Sequence, residues 1–532
     1  IGSDFCPRWY LFADGEDGST PEPLQQGMVF SENVDRLTIR GCKLLAAGHS
    51  AIWLNKASEH CIVESNLIMG VGFAGVYANG WTLGKGPFKS AAESYVNKGH
   101  RIESNFIYDC GQFVAGGCGI QLYQSGDNLI ARNEIGDMPR YGISCKGERY
   151  GGLPKKLYGV NVSFQSQFDF LHTRRNRIVG NEIYSVCRNS FDFGAIESWG
   201  VGRDNLWADN DLHDIDQTLD WDGWAHVLFA DDACHYLTIR GNLIHHCNGG
   251  RATGAFMLKS IDELIEGNVV VDCRMGRIVT FEPYMEPSWD VAIRRNVFAS
   301  DGVNSRYGDL NEYSFKGKGY LDVAVPPNST GFQEVDHNFI SPVDPAKRNP
   351  NAAHGMDLHS VFAPNLVTCM AASWDATRLD YRVKPLPGLK FDSRRMSQTG
   401  LRKDFPFDKS AATRRSASDK IQAEDYQRMN DLRTWGGLGV YAMQKGSWAK
   451  YANVDFGPGR HREAVFQLEP AKAGSASGPL VEIHIDSPRG RIIGRQDQGQ
   501  TACPVSAVRG IHNVYLVFEN SGMKSVDWFV FR

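Results

Sequence analysis

The sequence predicts an all-β protein: a right-handed parallel β-helix followed by a β-sandwich of the jelly-roll type. Three observations predict it. A six-residue motif recurs nine times along the first two thirds of the 532 residues. The residues after each copy alternate as a strand with one buried face does. From Ile421 onward the chain changes to short alternating segments divided by turn residues, the texture of a sandwich.

The motif is an apolar residue, two variable residues, an asparagine, one variable residue and an apolar residue. It reads VESNLI, IESNFI, IARNEI, IVGNEI, WADNDL, IRGNLI, IEGNVV, IRRNVF and VDHNFI. The asparagines are Asn66, Asn105, Asn133, Asn181, Asn210, Asn242, Asn268, Asn296 and Asn338, and an imperfect copy, IRGCKL, puts Cys42 in the first slot. Asparagine suits a corner because its amide bonds nearby backbone and it tolerates unusual dihedrals. Stacked rungs would set these amides about 4.8 Å apart, close enough for each to donate to the next. A propeller is the competing architecture, but its blades need about 40 residues each and tight hairpins. The gaps between slots run from 24 to 48 residues, and variable insertions on a fixed rung suit a β-helix.

Composition narrows the rest. A net charge of −4 gives no general nucleic-acid footprint. No run of apolar residues is long enough for a membrane span. The chain starts abruptly at Ile1 without a visible signal peptide, as a mature or trimmed secreted protein would, so a secreted or periplasmic bacterial location is expected. No N-terminal cap is recognisable before Val34. Of the 12 cysteines, Cys110, Cys187, Cys247 and Cys273 fall five or six residues after a ladder asparagine. They are expected to be small buried side chains, with few disulfides in the protein. No zinc spacing is present.

The β-helix is expected over 1–382 as the catalytic domain, a strap and linker rich in Pro, Lys, Arg and Ser over 383–418, and the sandwich over 419–532. The segments IQAEDY, GSWAKYANVDFG, IHIDSPRG, GIHNVYLVF and VDWFVF resemble the family 6 carbohydrate-binding modules over essentially the whole sandwich. That resemblance implies a structural calcium held by Gln422, Glu424 and Asp527, hard oxygen ligands that suit this ion. The family's main sugar cleft uses two aromatic rings and an asparagine. Here the loop QDQGQTACPVSAVRG lacks tryptophan, Ala442 stands where an aromatic is common, and Ser525 replaces the asparagine. The sandwich is therefore either a glycan binder through another cleft or a structural brace.

The strands preceding the ladder end in polar residues: GIQLYQ, GISCKG, GAIESW, VLFADD, FMLKS and IVTFEP. Aligned, they form an expected column of Gln124, Lys146, Glu197, Asp231, Lys259 and Glu282, with Asp232 next in line and Asp192 opening FDFGAIESW. Carboxyls on neighbouring rungs would lie about 5 Å apart, and on alternate rungs about 10 Å apart, bracketing retaining and inverting glycosidase geometry. A like-charge cluster raises one carboxyl's pKa and keeps an acid protonated. The alternative is a solvated acidic stripe or a calcium site. Lys259 either pairs with Asp231 or meets an anionic substrate. Trp221, Trp224 and His226 in TLDWDGWAHV, together with Trp199, are either sugar platforms or a packed loop. The insertion from Arg140 to Asn176 holds seven Lys or Arg (Arg140, Lys146, Arg149, Lys155, Lys156, Arg174, Arg175) against Glu148 and Asp169. It suits a sulfated or uronic substrate, or is a solvated loop. His213, His245 and His246 fall on corners, where a structural role is expected.

FDFGAIESWG, VLFADDACHYLTIRGN and the closing KPLPGL…TGLRKDFPF resemble β-helix glycoside hydrolases related to glycoside hydrolase family 141, which contains fucosidases and xylanases. The resemblance covers roughly residues 30 to 410. It implies a secreted hydrolase of a complex, anionic or neutral polysaccharide, with Asp192 and either Asp231 or Asp232 as the catalytic acids and no catalytic cofactor. Glu197, where relatives often carry an uncharged aromatic, is a further candidate. Lys146, Trp199, Trp221, Trp224, His226, Lys259 and Glu282 are expected to contact substrate, and the protein to be a monomer. Two other functions remain open. FMLKSIDELIEGN resembles the KSxxNxxxxN signature of an alginate-lyase family, with Lys259 as base, although Glu263 replaces an asparagine and Arg274 and Arg277 sit off the expected spacing. A non-catalytic glycan-binding protein resembling tailspikes, which are usually trimeric, is the third.

Overall fold

Each ladder asparagine joins two short strands, and successive rungs stack those strands into parallel sheets. The computed structural model describes residues 27–299, 316–341, 351–362 and 399–532, apart from 112, 114–115, 188–192, 216–224, 248–252, 272, 274, 282–284, 431, 435–438, 443, 469–479, 498–499 and 521–524. Three parallel sheets run the length of the N-terminal part. Sheet 1 includes Tyr141–Lys146, Ile196–Trp199, Ala225–Ala230 and Thr253–Leu258. Sheet 2 holds the strands just before each asparagine, such as Arg177–Val179 and Leu206–Ala208. Sheet 3 holds those just after it, such as Glu182–Tyr184, Asp211–His213 and Leu243–His245.

The core follows from the alternation. The central residue of each sheet 2 strand (Ile130, Ile178, Trp207, Ile239) and of each sheet 3 strand (Ile135, Ile183, Leu212, Ile244) is buried in one continuous apolar cluster. The asparagines form the expected ladder, and it has a direction. Asn105 donates from Nδ2 to Asn133 Oδ1 at 2.9 Å and from its backbone N–H to the same oxygen at 3.0 Å, while its second amide proton goes to Val63 O at 2.9 Å. The pattern repeats from Asn66 to Asn338, and the corner residue before Asn66, Asn105, Asn133, Asn181 and Asn210 is left-handed. At the start, Cys42 contributes only its backbone N–H to Asn66 Oδ1 (2.9 Å). At the end, Asn338 N–H meets Ser360 Oγ (2.9 Å). A second ladder lies at the corner between sheets 1 and 2, where His100, Asn128 and Asn176 donate their backbone N–H to Asn128, Asn176 and Asn205 Oδ1 at 2.8–3.1 Å. All ten described cysteines are free thiols. No described helix is long and apolar enough to cross a membrane.

The segment from Leu401 crosses the outer side of sheet 3, packing Leu401, Phe405 and Phe407 on Leu67, Phe106, Tyr108 and Tyr184. Arg402 pairs with Glu64 and Glu103, and Lys409 bonds Glu134 at 2.5 Å. Two antiparallel sheets then form the sandwich, entered at Arg415–Ser416, which pairs with Val454 and Asp455. The sandwich is docked directly on sheet 3. Met429 N–H donates to Asp214 Oδ1 at 2.6 Å, Gln427 Nε2 donates to Tyr108 Oη at 3.0 Å, and Arg428 reaches Glu182 at 3.5 Å.

Beneath that contact His213, 1% exposed, lies between Asp214 Oδ2 (2.6 Å) and Glu182 Oε1 (3.3 Å). Burial alone would lower its pKa, but the hydrogen bonds to Asp214 and Glu182 raise it to about 9. Its ring stacks on His245 of the next rung at 4.8 Å, and His245 bonds Asp211 at 2.9 Å and His246 at 2.9 Å. The expected structural histidines thus form one buried network at the domain interface.

Candidate active site

Sheet 1 sends alternate side chains to the core, among them Ile143, Cys145, Ile196, Leu228 and Phe256. The residues between them form two columns on the other face. One runs Gln121, Ser144, Glu197, Phe229, Met257 and Thr280. The other runs Tyr123, Lys146 and Trp199 and continues by register into Asp231 and Lys259. The expected column is therefore corrected at two places. Trp199, not Glu197, pairs with Lys146; Glu197 lies two residues earlier, which keeps it on the same face but in the other column. Gln124 has left the strand for a left-handed turn (φ 47°), where its amide bonds Phe170 O and His172 N–H.

The face is a set of ion pairs on adjoining rungs. Lys146 Nζ is 2.7 Å from Glu197 Oε1, whose other oxygen accepts from Ser144 Oγ at 2.9 Å. Lys259 Nζ is 2.6 Å from Asp231 Oδ1 and 3.7 Å from Asp232 Oδ1. Arg149 holds Asp232 Oδ2 at 3.1 Å and lies 5.3 Å from the centre of the Trp199 ring. Asp231 and Asp232 therefore share one ammonium, which keeps those two oxygens within about 6 Å of each other, a bound that admits the carboxylate spacing of retaining glycosidases.

Burial raises the Asp232 pKa, with Asp231 adding to it against Lys259 and Arg149. Next to it lies Glu286, 1% exposed, which burial and the neighbouring Asp232 push to about 8. His235 Nδ1 accepts from Ile261 N–H at 3.1 Å, so Nε2 carries the proton of the neutral ring and faces Glu286 Oε2 at 3.9 Å. Burial lowers His235 to about 3, which keeps it neutral. Asp232, with its pKa raised, can deliver a proton, and the neighbouring Asp231 carboxylate can stabilise a developing positive charge.

Of the residues expected from sequence, Glu197, Asp231, Asp232, Lys146, Trp199 and Lys259 come together on this face. His226 is 2% exposed, bonded through Nε2 to Thr280 Oγ1 at 2.8 Å and stacked on Phe229, so it is buried against the Glu197 column. Asp192, Trp221, Trp224 and Glu282 lie outside the described residues. The basic insertion divides. Arg149 joins the site, Arg175 instead makes a two-pronged pair with Asp127 at 2.6 and 2.7 Å, and Lys155 and Lys156 are exposed. Glu286 was not foreseen, because it stands in a corner loop that no strand alternation marks.

In the sandwich, Gln422 pairs with Trp528 and Ala423 N–H donates to Asp527 O at 2.8 Å. This brings the half-buried Gln422, Glu424 and Asp527 onto two paired segments of the sandwich, and their side chains carry oxygen donors of the kind that suits calcium. Ala442 and Ser525 are buried, so neither offers a sugar platform.

Comparison with known proteins accords with this architecture. A family model described as a right handed beta helix region matches residues 26–194, and one described as carbohydrate binding module (family 6) matches 422–532. Endo-1,4-beta-xylanase A of Thermoclostridium stercorarium is 30% identical over 132 residues, 22% of this chain and 19% of that protein. The chain thus spans about a fifth of the length of that curated relative. A family 6 carbohydrate-binding module from Clostridium cellulolyticum, solved with xylose, is 34% identical and covers 22% of this chain and 99% of its own, at a TM-score of 0.20. A structure titled glycoside hydrolase is 17% identical over 46% of this chain and 38% of its own, at a TM-score of 0.33. The chain carries a right-handed β-helix region and, at its C-terminus, a family 6 carbohydrate-binding module.

Proposed function

We propose that this is a carbohydrate-active enzyme that hydrolyses glycosidic bonds of an anionic polysaccharide on the outer face of sheet 1. The observation that carries this reading is the single ammonium of Lys259 shared by Asp231 and Asp232 at 2.6 and 3.7 Å. Asp231, in the shorter bond to Lys259, is the nucleophile or base. Asp232, raised by burial, is the acid. Glu286 stays protonated beside it, so no third negative charge opposes the pair. Glu197, bonded to Lys146 and Ser144, braces the floor of the site rather than reacting. Lys146 and Lys259 in one column and Arg149 from a corner loop bring three cations to this face, which favours a substrate bearing carboxylate or sulfate.

Lys259 as the base of a lyase is disfavoured by its bond to Asp231, since an ammonium held at 2.6 Å by a carboxylate is a poor proton acceptor. The carbohydrate-binding module at the C-terminus and the xylanase relative support a glycan as the ligand. In the sandwich, Gln422, Glu424 and Asp527 would hold a structural calcium apart from the chemistry on sheet 1.

The test is digestion of neutral, uronic and sulfated polysaccharides by wild type, Asp231→Asn and Asp232→Asn. New reducing ends should come chiefly from an anionic polymer and fall by about 100-fold or more in each variant. Cleavage that survives both substitutions would remove this pair from the chemistry.

A further inference from the structure

At the C-terminal end of the β-helix the asparagine ladder gives way to a different stack. His337 directly precedes Asn338, and His359 directly precedes Ser360, whose Oγ takes the ladder's last bond. The two histidines thus hold equivalent places on consecutive rungs, and their rings stack at 5.2 Å with 20° between planes. Between them lies Asp336. Its Oδ1 accepts the backbone N–H of His337 and of His359, both at 2.8 Å, which fixes the carboxylate. Its Oδ2 faces His359 Nδ1 at 2.6 Å and His337 Nδ1 at 3.6 Å.

We propose that Asp336, His337 and His359 form a binding site for a divalent transition-metal ion, zinc in the first instance. The three ligand atoms lie within 4.8 Å of one another. An ion with bonds of about 2.0–2.2 Å to each is accommodated by small rotations of the two rings. His337 is 45% and His359 68% exposed, which gives room for such rotations and leaves the remaining coordination positions to water. Two imidazoles and one carboxylate select zinc, nickel or copper over calcium or magnesium, which want all-oxygen shells. The nearby cation Arg294 is drawn away by Glu266 at 2.8 Å and Glu334 at 2.7 Å.

The site also has a structural purpose. Between Asn296 and Asn338 the ladder makes two bonds to one amide oxygen, whereas at the last rung Asn338 N–H meets the Ser360 hydroxyl, which in turn donates to Asp357 Oδ1 at 2.7 Å. A metal ion bridging His337 and His359 would add a tie between the last two rungs beside that hydroxyl bond.

The experiment is calorimetric titration of zinc chloride into the tag-free, chelator-treated full chain, with thermal unfolding followed in parallel. Wild type should bind one zinc with micromolar or tighter affinity, keep that binding in excess calcium, and gain thermal stability with rising zinc. Asp336→Asn and the double change His337→Ala with His359→Ala should fold to the same circular dichroism spectrum and bind at least about tenfold more weakly. The absence of saturable binding in wild type would overturn the proposal, as would full-strength binding in the double variant, which would place the ion elsewhere.

Discussion

Lys146→Met tests whether Glu197 is part of the frame of the site or of its chemistry. Lys146 is 4% exposed and Glu197 1%, and they meet at 2.7 Å. Removing the ammonium leaves a carboxylate in a poorly hydrated place with the Ser144 hydroxyl at 2.9 Å. Breaking one side of a buried pair costs about 3–5 kcal/mol, whereas replacing both sides with neutral groups is often close to neutral. Lys146→Met alone should therefore destabilise by about 3–5 kcal/mol, and adding Glu197→Gln should recover more than about 2 kcal/mol of that loss. Guanidinium unfolding followed by circular dichroism reads both, with an unchanged slope showing that the same surface unfolds. The companion readout is activity, which Glu197→Gln should leave within about tenfold of wild type while Asp232→Asn loses about 100-fold or more. Additive losses would refute the buried-pair argument, and a Glu197→Gln enzyme as inactive as Asp232→Asn would move Glu197 into the chemistry.

Three further outcomes follow from the same structure. Asn210 is fully buried and its side chain makes four bonds, to Asn181 N–H, Asn181 Nδ2, Ile178 O and Asn242 Oδ1, so Asn210→Ala should cost about 3–6 kcal/mol in denaturant unfolding, against about 1 kcal/mol for Ser360→Ala at the ladder's end. Glu286 titrates near 8 when folded against an ordinary 4.5, so it holds its proton more tightly folded than unfolded and stability declines as pH rises from 4.5 to 8; Glu286→Gln should match wild type at the acid end and be more stable at the alkaline end, as thermal unfolding across that range would show. His213, raised from 6.5 to about 9, contributes stability that is complete below pH 6.5 and lost as pH rises through 9; His213→Gln should flatten that limb, read by hydrogen exchange at Met429, whose N–H bonds Asp214 across the domain contact.

The ladder was legible because one residue type does one job on every rung: an amide that donates forward and accepts from behind leaves an asparagine wherever it acts. The second ladder was not, because it opens on His100 and uses only Asn128, Asn176 and Asn205 after it, too few copies to stand out. Register within sheet 1 was half legible. The two-residue alternation placed Glu197 on the correct face, but no repeated side chain marks where one strand stands against the next, so Glu197 was set level with Lys146 when Trp199 is. The pairing of Lys259 with Asp231 was readable from charge at equal positions on adjoining rungs. Arg149 and Glu286 were not, since corner loops carry them to Asp232 from opposite sides of the sequence. The docking of the sandwich rests on single bonds such as Met429 N–H to Asp214, which no composition or periodicity announces.

The proposed hydrolysis of a glycosidic bond by Asp231 and Asp232, held on one ammonium, requires water to enter the product. Cleavage of the best anionic polysaccharide in heavy-oxygen water, with mass spectrometry of the products, tests it most directly. Wild type should place one heavy oxygen at each new reducing end, with no unsaturated ultraviolet-absorbing product, and Asp231→Asn should yield almost no cleavage. Unlabelled, unsaturated products that persist in Asp231→Asn and vanish in Lys259→Ala would contradict the account and establish elimination by a lysine base.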